Sequence, residues 1–414
     1  MRWRREYFQQ NTGRKDIRRD TGMTPLDTAK VRLIHTEKYH TFRRWGRVLQ
    51  IAILGSRGIP AKYGGFETVV EKLSELLIER GVGVAVFCPS DQSYKNHLYK
   101  NVNLCFVPNL EKRLKAFGTL LYDTLSLLKS SLSNFSIIYM LGYSPSFFCL
   151  LPKVFGKKVV INTDGLEWKR SKWSRTARIY LKLSEWFATK VADVLISDSL
   201  AIKEYYLKKY GRNSVFITNG ADIYFSTQPE ILREFGLKKF DYYLVVARLE
   251  PENNIDTIIK GFSSSKTRKK LFLITNLRKT KYYLKIKSLV KKDKRIIWFG
   301  PLYDRKKLNE IRANAFAYIH GHSMGGTNPS LLESMGCGSV VTAFDVPFNR
   351  EVLRNNGFFF KDAISLKKNI ENLEGISWKT LKNLRGRNRE IIKQHYDWNE
   401  IARDYFELFQ EMVK

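Results

Sequence analysis

In GSRGIPAKYGGFET (55–68) the glycines Gly55, Gly58, Gly64 and Gly65 interrupt an apolar run just before an amphipathic helical pattern. Glycines there permit positive φ and let an anion approach backbone amides, and the helix start adds a favourable dipole. The spacing matches neither a dinucleotide fingerprint nor a Walker loop. Taken alone, the stretch fits either an anion cradle or a plain strand-to-helix turn. A second stretch, GHSMGGTNPSLLESMGCGSVV (321–341), sets Gly325, Gly326 and Thr327 before Asn328, a good N-cap, and Pro329, a good first helical residue. The amides of Ser330 and Leu331 are expected to face a diphosphate, and Glu333, one turn in, to accept from ribose hydroxyls. An ordinary capped helix with a surface glutamate is the alternative. In VVARLEPENNID (245–256), Arg248 follows an apolar strand pattern, where a guanidinium can grip a pyrophosphate in two-point fashion or pair with Glu250 or Glu252.

These residues need strands that end together. From residue 47 on, short apolar runs (VLQIAILG, VGVAVFC, VNLCFVP, SIIYMLG, KVVINT, DVLISDS, SVFITNG) alternate with helical patterns such as 66–80 and 173–191. After STQPEILREFGLKKFD, read as the connection, the alternation restarts with YYLVVARL, KLFLIT, RIIWFG, AFAYIHGH, SVVTAF and GFFF. The pattern predicts an α/β chain of two Rossmann-like domains whose parallel sheets face a central cleft. The expected boundaries are a basic extension at 1–46, a first domain at 47–225, a second at 226–396, and a closing helix at 397–414 that packs back on the first domain.

The chain has 414 residues, enough for two cores, and a net charge of +32. Residues 1–48 hold 13 basic and 5 acidic residues, so most of the excess lies in the body. Such a charge attracts anionic partners: phosphorylated substrates, an anionic membrane surface or nucleic acid. No nucleic-acid-reading motif is present, so no nucleic-acid partner is expected. Cys88, Cys105, Cys149 and Cys337 are scattered without C-x-x-C, which suits free thiols in a reducing compartment. The uncharged stretch 131–152 is broken by Gly142, Pro145 and Pro152 and reads as a buried strand, a turn and a short helix rather than a membrane span.

The stretches GSRGIPAKYGGFET, INTDGLEWKRSKW, ISDSLAIKEYY, VARLEPENNI, AYIHGHSMGGTNPSLLESMGCG and DVPFNREV resemble family 4 glycosyltransferases of the GT-B fold. The likeness spans nearly all of residues 50–352 and is nearest the bacterial rhamnosyltransferase branch that begins rhamnose-containing polysaccharides on lipid-linked sugars. The resemblance implies transfer of a sugar, L-rhamnose from dTDP-rhamnose, onto a polyprenyl-diphosphate-linked saccharide, with retention and without metal or other cofactor. It places Gly64, Gly65, Arg248, Gly326, Thr327, Asn328, Ser330, Leu331 and Glu333 on the donor. It makes Asp164 and Arg248 the catalytic candidates, and Arg57, Glu67, Glu167, Lys169 and Arg170 the acceptor contacts. Two positions depart from the family's pattern. A glutamate usual eight residues before Glu333 is Gly325, and a lysine usual shortly after Arg248 gives way to Asn253 and Asn254. No D-x-D motif occurs, and His320 and His322 lack an evident third metal ligand.

The basic and aromatic segments 110–132 and 166–190 suit a membrane-surface acceptor site. The expected location is therefore cytoplasmic, peripheral at the inner face of the cell membrane. A nucleotide-sugar epimerase on the same fold and a nucleic-acid-binding protein are the competing readings.

Overall fold

The computed structural model describes residues 49–61, 65–277 and 279–414. The expected extension at 1–46 and the phosphate contact at Gly64 lie outside the described residues.

The first sheet is built from β1 (Gln50–Leu54), β2 (Gly83–Pro89), β3 (Leu98–Tyr99), β4 (Val102–Val107), β5 (Ile137–Leu141), β6 (Lys158–Asn162), β7 (Val194–Ser197) and β8 (Val215–Phe216). Their spatial order is β3-β4-β2-β1-β5-β6-β7-β8, parallel throughout except for β3, which runs antiparallel to β4. The second sheet holds β9 (Tyr242–Val246), β10 (Lys270–Ile274), β11 (Ile296–Gly300), β12 (Ala317–His320), β13 (Val341–Phe344) and β14 (Phe358–Phe360) in the order β11-β10-β9-β12-β13-β14. All five pairings of this sheet are parallel.

The central strands are apolar along their whole length because helices cover both faces, so β1 and β5 are almost wholly buried. The helices that matter for the site are α1 (Gly65–Glu79), α2 (Ala116–Ser131), α3 (Arg175–Val191), α4 (Leu200–Tyr210), α5 (Ile255–Ser264), α6 (Arg305–Asn314), α7 (Pro329–Gly336), α8 (Pro347–Leu353), α9 (Trp378–His395) and α10 (Trp398–Val413). Helix α1 shows the usual logic: Val69, Val70, Leu73, Leu76 and Leu77 recur at helical spacing and are buried on the first sheet.

The strand order reverses between β1 and β5 in the first sheet and between β9 and β12 in the second. In open parallel sheets a crevice opens at that point beyond the carboxyl strand ends. The loops leaving these strands are the glycine loop after β1, the Arg248 loop after β9 and the His322 loop after β12.

Chain segments cross between the domains. Helix α10 buries Trp398, Ile401, Ala402, Tyr405, Leu408, Phe409 and Met412 in the first domain's core, and the Tyr405 hydroxyl lies 2.8 Å from that of Tyr139. STQPEILREFGLKKFD, read as the connection at the start of the expected second domain, packs into that domain's core. It forms a short 3-10 helix, Pro229–Phe235, whose Leu232 is buried in that core. The buried carboxylate of Glu310 holds its approach, accepting from the Tyr224 and Ser226 hydroxyls and from the Thr227 and Gln228 amides, each at 2.7 Å.

Among the described residues no helix is long and apolar enough to cross a membrane. The four cysteines are free, and burial pushes the thiols of Cys88, Cys149 and Cys337 up to about 12.

Candidate active site between the two domains

Arg248 emerges two residues beyond β9 with an exposed side chain that forms no ion pair among the described residues. Its backbone is braced instead. Asn253 donates from Nδ2 to the Arg248 carbonyl at 2.8 Å and sets Oδ1 3.0 Å from Nδ1 of His322. Asn254, at φ 49°, donates to the Gly321 carbonyl at 2.8 Å. The pair standing where the resemblance expects a lysine therefore ties the β9 loop to the β12 loop. His320 and His322 are buried and held below the usual histidine range by desolvation, His320 at about 3. Among the described residues no group of three or more His, Cys, Asp or Glu side chains could hold a metal.

Helix α7 starts as its sequence dictates, with Asn328 as cap and Pro329 next. The cap corrects the expectation of free amides. Ser330 donates its amide to Asn328 Oδ1 at 2.9 Å, and Leu331 donates to the Asn328 carbonyl at 3.0 Å with its side chain fully buried. The reason is competition: the side-chain oxygen and the carbonyl of the cap residue take the two amides an anion would need. Thr327 is also engaged elsewhere. Its hydroxyl donates to the Asp198 carbonyl at 2.7 Å, and its own carbonyl accepts from Asn219 at 2.8 Å, so it fastens the two domains together.

Glu333 is no free surface carboxylate. The buried guanidinium of Arg312, on α6, lies 2.5 Å from Glu333 Oε2 and 3.3 Å from the Ser330 hydroxyl. Arg312 escaped the sequence reading because RKKLNEIRAN looks like an ordinary basic helix face, and only the packing of α6 on α7 reveals its role. Glu333 keeps 29% of its side chain accessible, which leaves its carboxylate able to accept from a ligand.

Across the cleft, the glycine loop bends at Gly55 (φ 86°) and Gly58 (φ 81°). Arg57 donates its amide to Glu67 Oε1 at 2.8 Å, and Ala61 donates to Glu71 Oε2 at 2.6 Å. Glu67 is thus a buried brace of the loop rather than an open acceptor contact, because the amides of a tight loop need partners when buried. The Arg57 guanidinium pairs with Glu111. Gly65 opens α1 so close to α7 that a Cβ on it would lie 3.3 Å from Pro329 Cγ. The N-terminal ends of α1 and α7, one from each domain, face each other.

Asp164 follows β6 at φ 49°, with its amide donating to Asn162 Oδ1 at 2.8 Å. Burial pushes its carboxyl up while Arg170 and, more weakly, Arg248 pull it back, so the structure brings Asp164 and Arg248 into one electrostatic neighbourhood. Arg170 is buried, with Nε 2.7 Å from Glu167 Oε2, Nη2 3.7 Å from Asp164 Oδ2 and Nε 4.0 Å from Glu252 Oε1 on the opposite domain. Burial would raise Glu167, yet Arg170 and Lys172 hold it below its ordinary range. Lys169 is exposed beside the Trp168 ring, with Nζ 5.5 Å from the ring centroid.

The domains touch on glycines. A Cβ on Gly165 would lie 2.0 Å from Gly325 Cα, and one on Gly326 would lie 1.7 Å from Asp198 Oδ1. Gly326 therefore serves this junction, beneath a carboxylate that burial and Asp164 push well above its usual range.

Two parallel sheets, switch points facing across a cleft, and a last helix returning to the first domain make one architecture. This is the GT-B glycosyltransferase fold. Residues 227–391 match the family model described as "Glycosyl transferases group 1", and residues 48–222 match one described as "Domain of unknown function (DUF1972)". Sucrose-phosphate synthase from Thermosynechococcus elongatus superposes with a TM-score of 0.75 at 17% identity, over 88% of this chain and 99% of that one. Anabaena HepE in complex with UDP-glucose does so with a TM-score of 0.73 at 18% identity, over 87% of this chain and 99% of the other. An uncharacterised glycosyltransferase of Methanocaldococcus jannaschii is 29% identical over 123 residues. That match spans 28% of this GT-B chain and 31% of the relative's length.

Proposed function

We propose that the protein transfers a sugar from a nucleotide diphosphate to a lipid-linked saccharide at a membrane surface. The observation that carries the reading is the convergence, at the facing switch points, of Arg248, the Glu333–Arg312 pair and the paired helix ends of α1 and α7. The group 1 glycosyl transferase match over the second domain supports glycosyl transfer, and the UDP-glucose complex of a structural neighbour supports a nucleotide-sugar donor.

In this reading the donor diphosphate lies in the cleft beside the two helix ends with Arg248 against it, and Glu333 accepts from the free hydroxyl of the nucleotide's pentose. The acceptor hydroxyl attacks the anomeric carbon, the bond from that carbon to the phosphate oxygen breaks, and the proton passes to the departing diphosphate. Arg248 and the helix dipoles stabilise the charge that develops on that leaving group. L-Rhamnose on dTDP as donor, a polyprenyl-diphosphate saccharide as acceptor and retention of configuration follow from the family likeness and belong to the proposal.

The membrane contact has a surface to support it. Ile179, Leu183 and Trp186 form an exposed stripe at helical spacing on α3, with Lys182 and Lys190 on the same helix. Phe117 on α2 and Val154 at the end of the short helix Leu150–Val154 are exposed as well, and that short helix packs on α2. Apolar side chains among lysines suit insertion at an anionic headgroup layer.

Calorimetric titration with UDP, dTDP and their sugar conjugates tests the donor site. Binding by the intact protein, weakened at least tenfold in Arg248→Ala and Glu333→Ala, is the expected result. Equal binding by all three proteins contradicts the assignment.

A further inference from the structure

Glu252 sits in the 3-10 turn Pro251–Asn253, four residues after Arg248. Its side chain is 5% exposed, and neither carboxylate oxygen has a hydrogen-bond partner. The adjacent cation, Arg170, stands 4.0 Å from Oε1 and is already engaged with Glu167 at 2.7 Å. The Glu252 carbonyl receives both the amide and the hydroxyl of Ser323 at 2.9 Å, which pins the residue to the loop leaving β12, two residues before Gly325. That loop meets the first domain at Gly165, where there is no room for a further side chain.

A carboxylate accepts and cannot donate, and burying one without a donor is unfavourable unless a ligand brings the donor. A diphosphate offers only acceptors and negative charge, so it is repelled here and belongs with Arg248. The donors left on a nucleotide sugar are the N–H of the base and the hydroxyls of the pentose and of the transferred sugar; the nucleoside is assigned to Glu333, and the sugar lies at the other end of the diphosphate from it. We propose that Glu252 accepts hydrogen bonds from hydroxyls of the transferred sugar and so helps to select which sugar is used. This inference rests on the glycosyl-transfer reading above.

The test is Glu252→Gln, which keeps the volume and removes the charge. UDP, dTDP, UDP-glucose and dTDP-L-rhamnose are titrated into both proteins, initial transfer rates are measured with the conjugate the intact protein uses, and thermal midpoints are compared. The expected result is unchanged affinity for the free diphosphate and a loss of about ten- to a hundredfold for its sugar conjugate, seen in KM as well as in binding. A donor lacking the contacted hydroxyl brings the two proteins back to equal rates. Equal losses for the diphosphate and the conjugate with a lowered midpoint, or no loss for either, overturn the inference and mark Glu252 as a structural partner of Arg170. If the intact protein binds none of the four nucleotides, the glycosyl-transfer reading itself fails, a result distinct from intact binding that Glu252→Gln leaves unaltered.

Discussion

Arg248 and Asp164 come from opposite domains, and their charges act on one another across the cleft. Arg248 is exposed and forms no ion pair among the described residues, so its removal leaves the fold almost untouched. Loss of a group that stabilises a leaving diphosphate costs about two to three orders of magnitude in turnover. Arg248→Ala should therefore keep its thermal midpoint and lose roughly a hundredfold in kcat/KM, measured by diphosphate release. The sequence left Arg248 either to grip a pyrophosphate or to pair with Glu250 or Glu252, and the structure shows no such ion pair among the described residues. The sequence did not show that Ser330, Leu331 and Thr327 are committed to a cap, a core and a domain contact. Those roles depend on partners remote in the chain, as does that of Arg312, and no local pattern encodes them.

At the scale of elements, the strands were legible because buried parallel strands are apolar end to end. The exception is β3, two residues long with Leu98 exposed, which leaves no periodic trace. The start of segment 226–241 shows no periodicity because its order comes from Glu310, on a helix some eighty positions away. Six donors around that carboxylate, the Asn314 amide among them, outweigh the burial that would raise it and hold Glu310 at about 2 instead of 4.5. A depressed carboxylate stabilises the fold above its unfolded value and loses that contribution as pH falls through the folded one. About 3 kcal/mol should disappear between pH 4.5 and about 2, and Glu310→Gln should flatten this limb of a urea-denaturation series run against pH. Glycine at a domain contact gives a second prediction. Gly165→Ala places a methyl group 2.0 Å from backbone, where no side chain can yield. Both domains should still fold, while the misaligned cleft loses about a hundredfold in turnover. Small-angle scattering should record a larger radius of gyration for this variant, and an unchanged radius with full activity would refute the contact.

The whole molecule combines a charge of +32 with an apolar stripe on α3 and a closing helix that locks the C-terminus onto the first domain. Attraction between a basic surface and anionic lipid is screened by salt, whereas apolar insertion is not. Sedimentation with vesicles rich in phosphatidylglycerol should show binding that weakens between low and high salt and falls further in Ile179→Ser with Trp186→Ser. Equal binding to neutral vesicles would refute the surface. Fold class and the position of the cleft were readable at this scale because alternating strands and helices admit few topologies. The tightness of the domain contact was not, since it rests on glycines whose neighbours lie far along the chain.

The central claim is that a sugar leaves its nucleotide diphosphate in this cleft and joins another molecule. Mass spectrometry of a prenyl-diphosphate-linked saccharide incubated with dTDP-L-rhamnose and other nucleotide sugars tests it most directly. The account predicts an acceptor heavier by one sugar residue, with one nucleoside diphosphate released per transfer, and both formed roughly a hundredfold more slowly by Arg248→Ala. A donor converted to its epimer without acceptor, or an acceptor of unchanged mass with every nucleotide sugar tried, would contradict it.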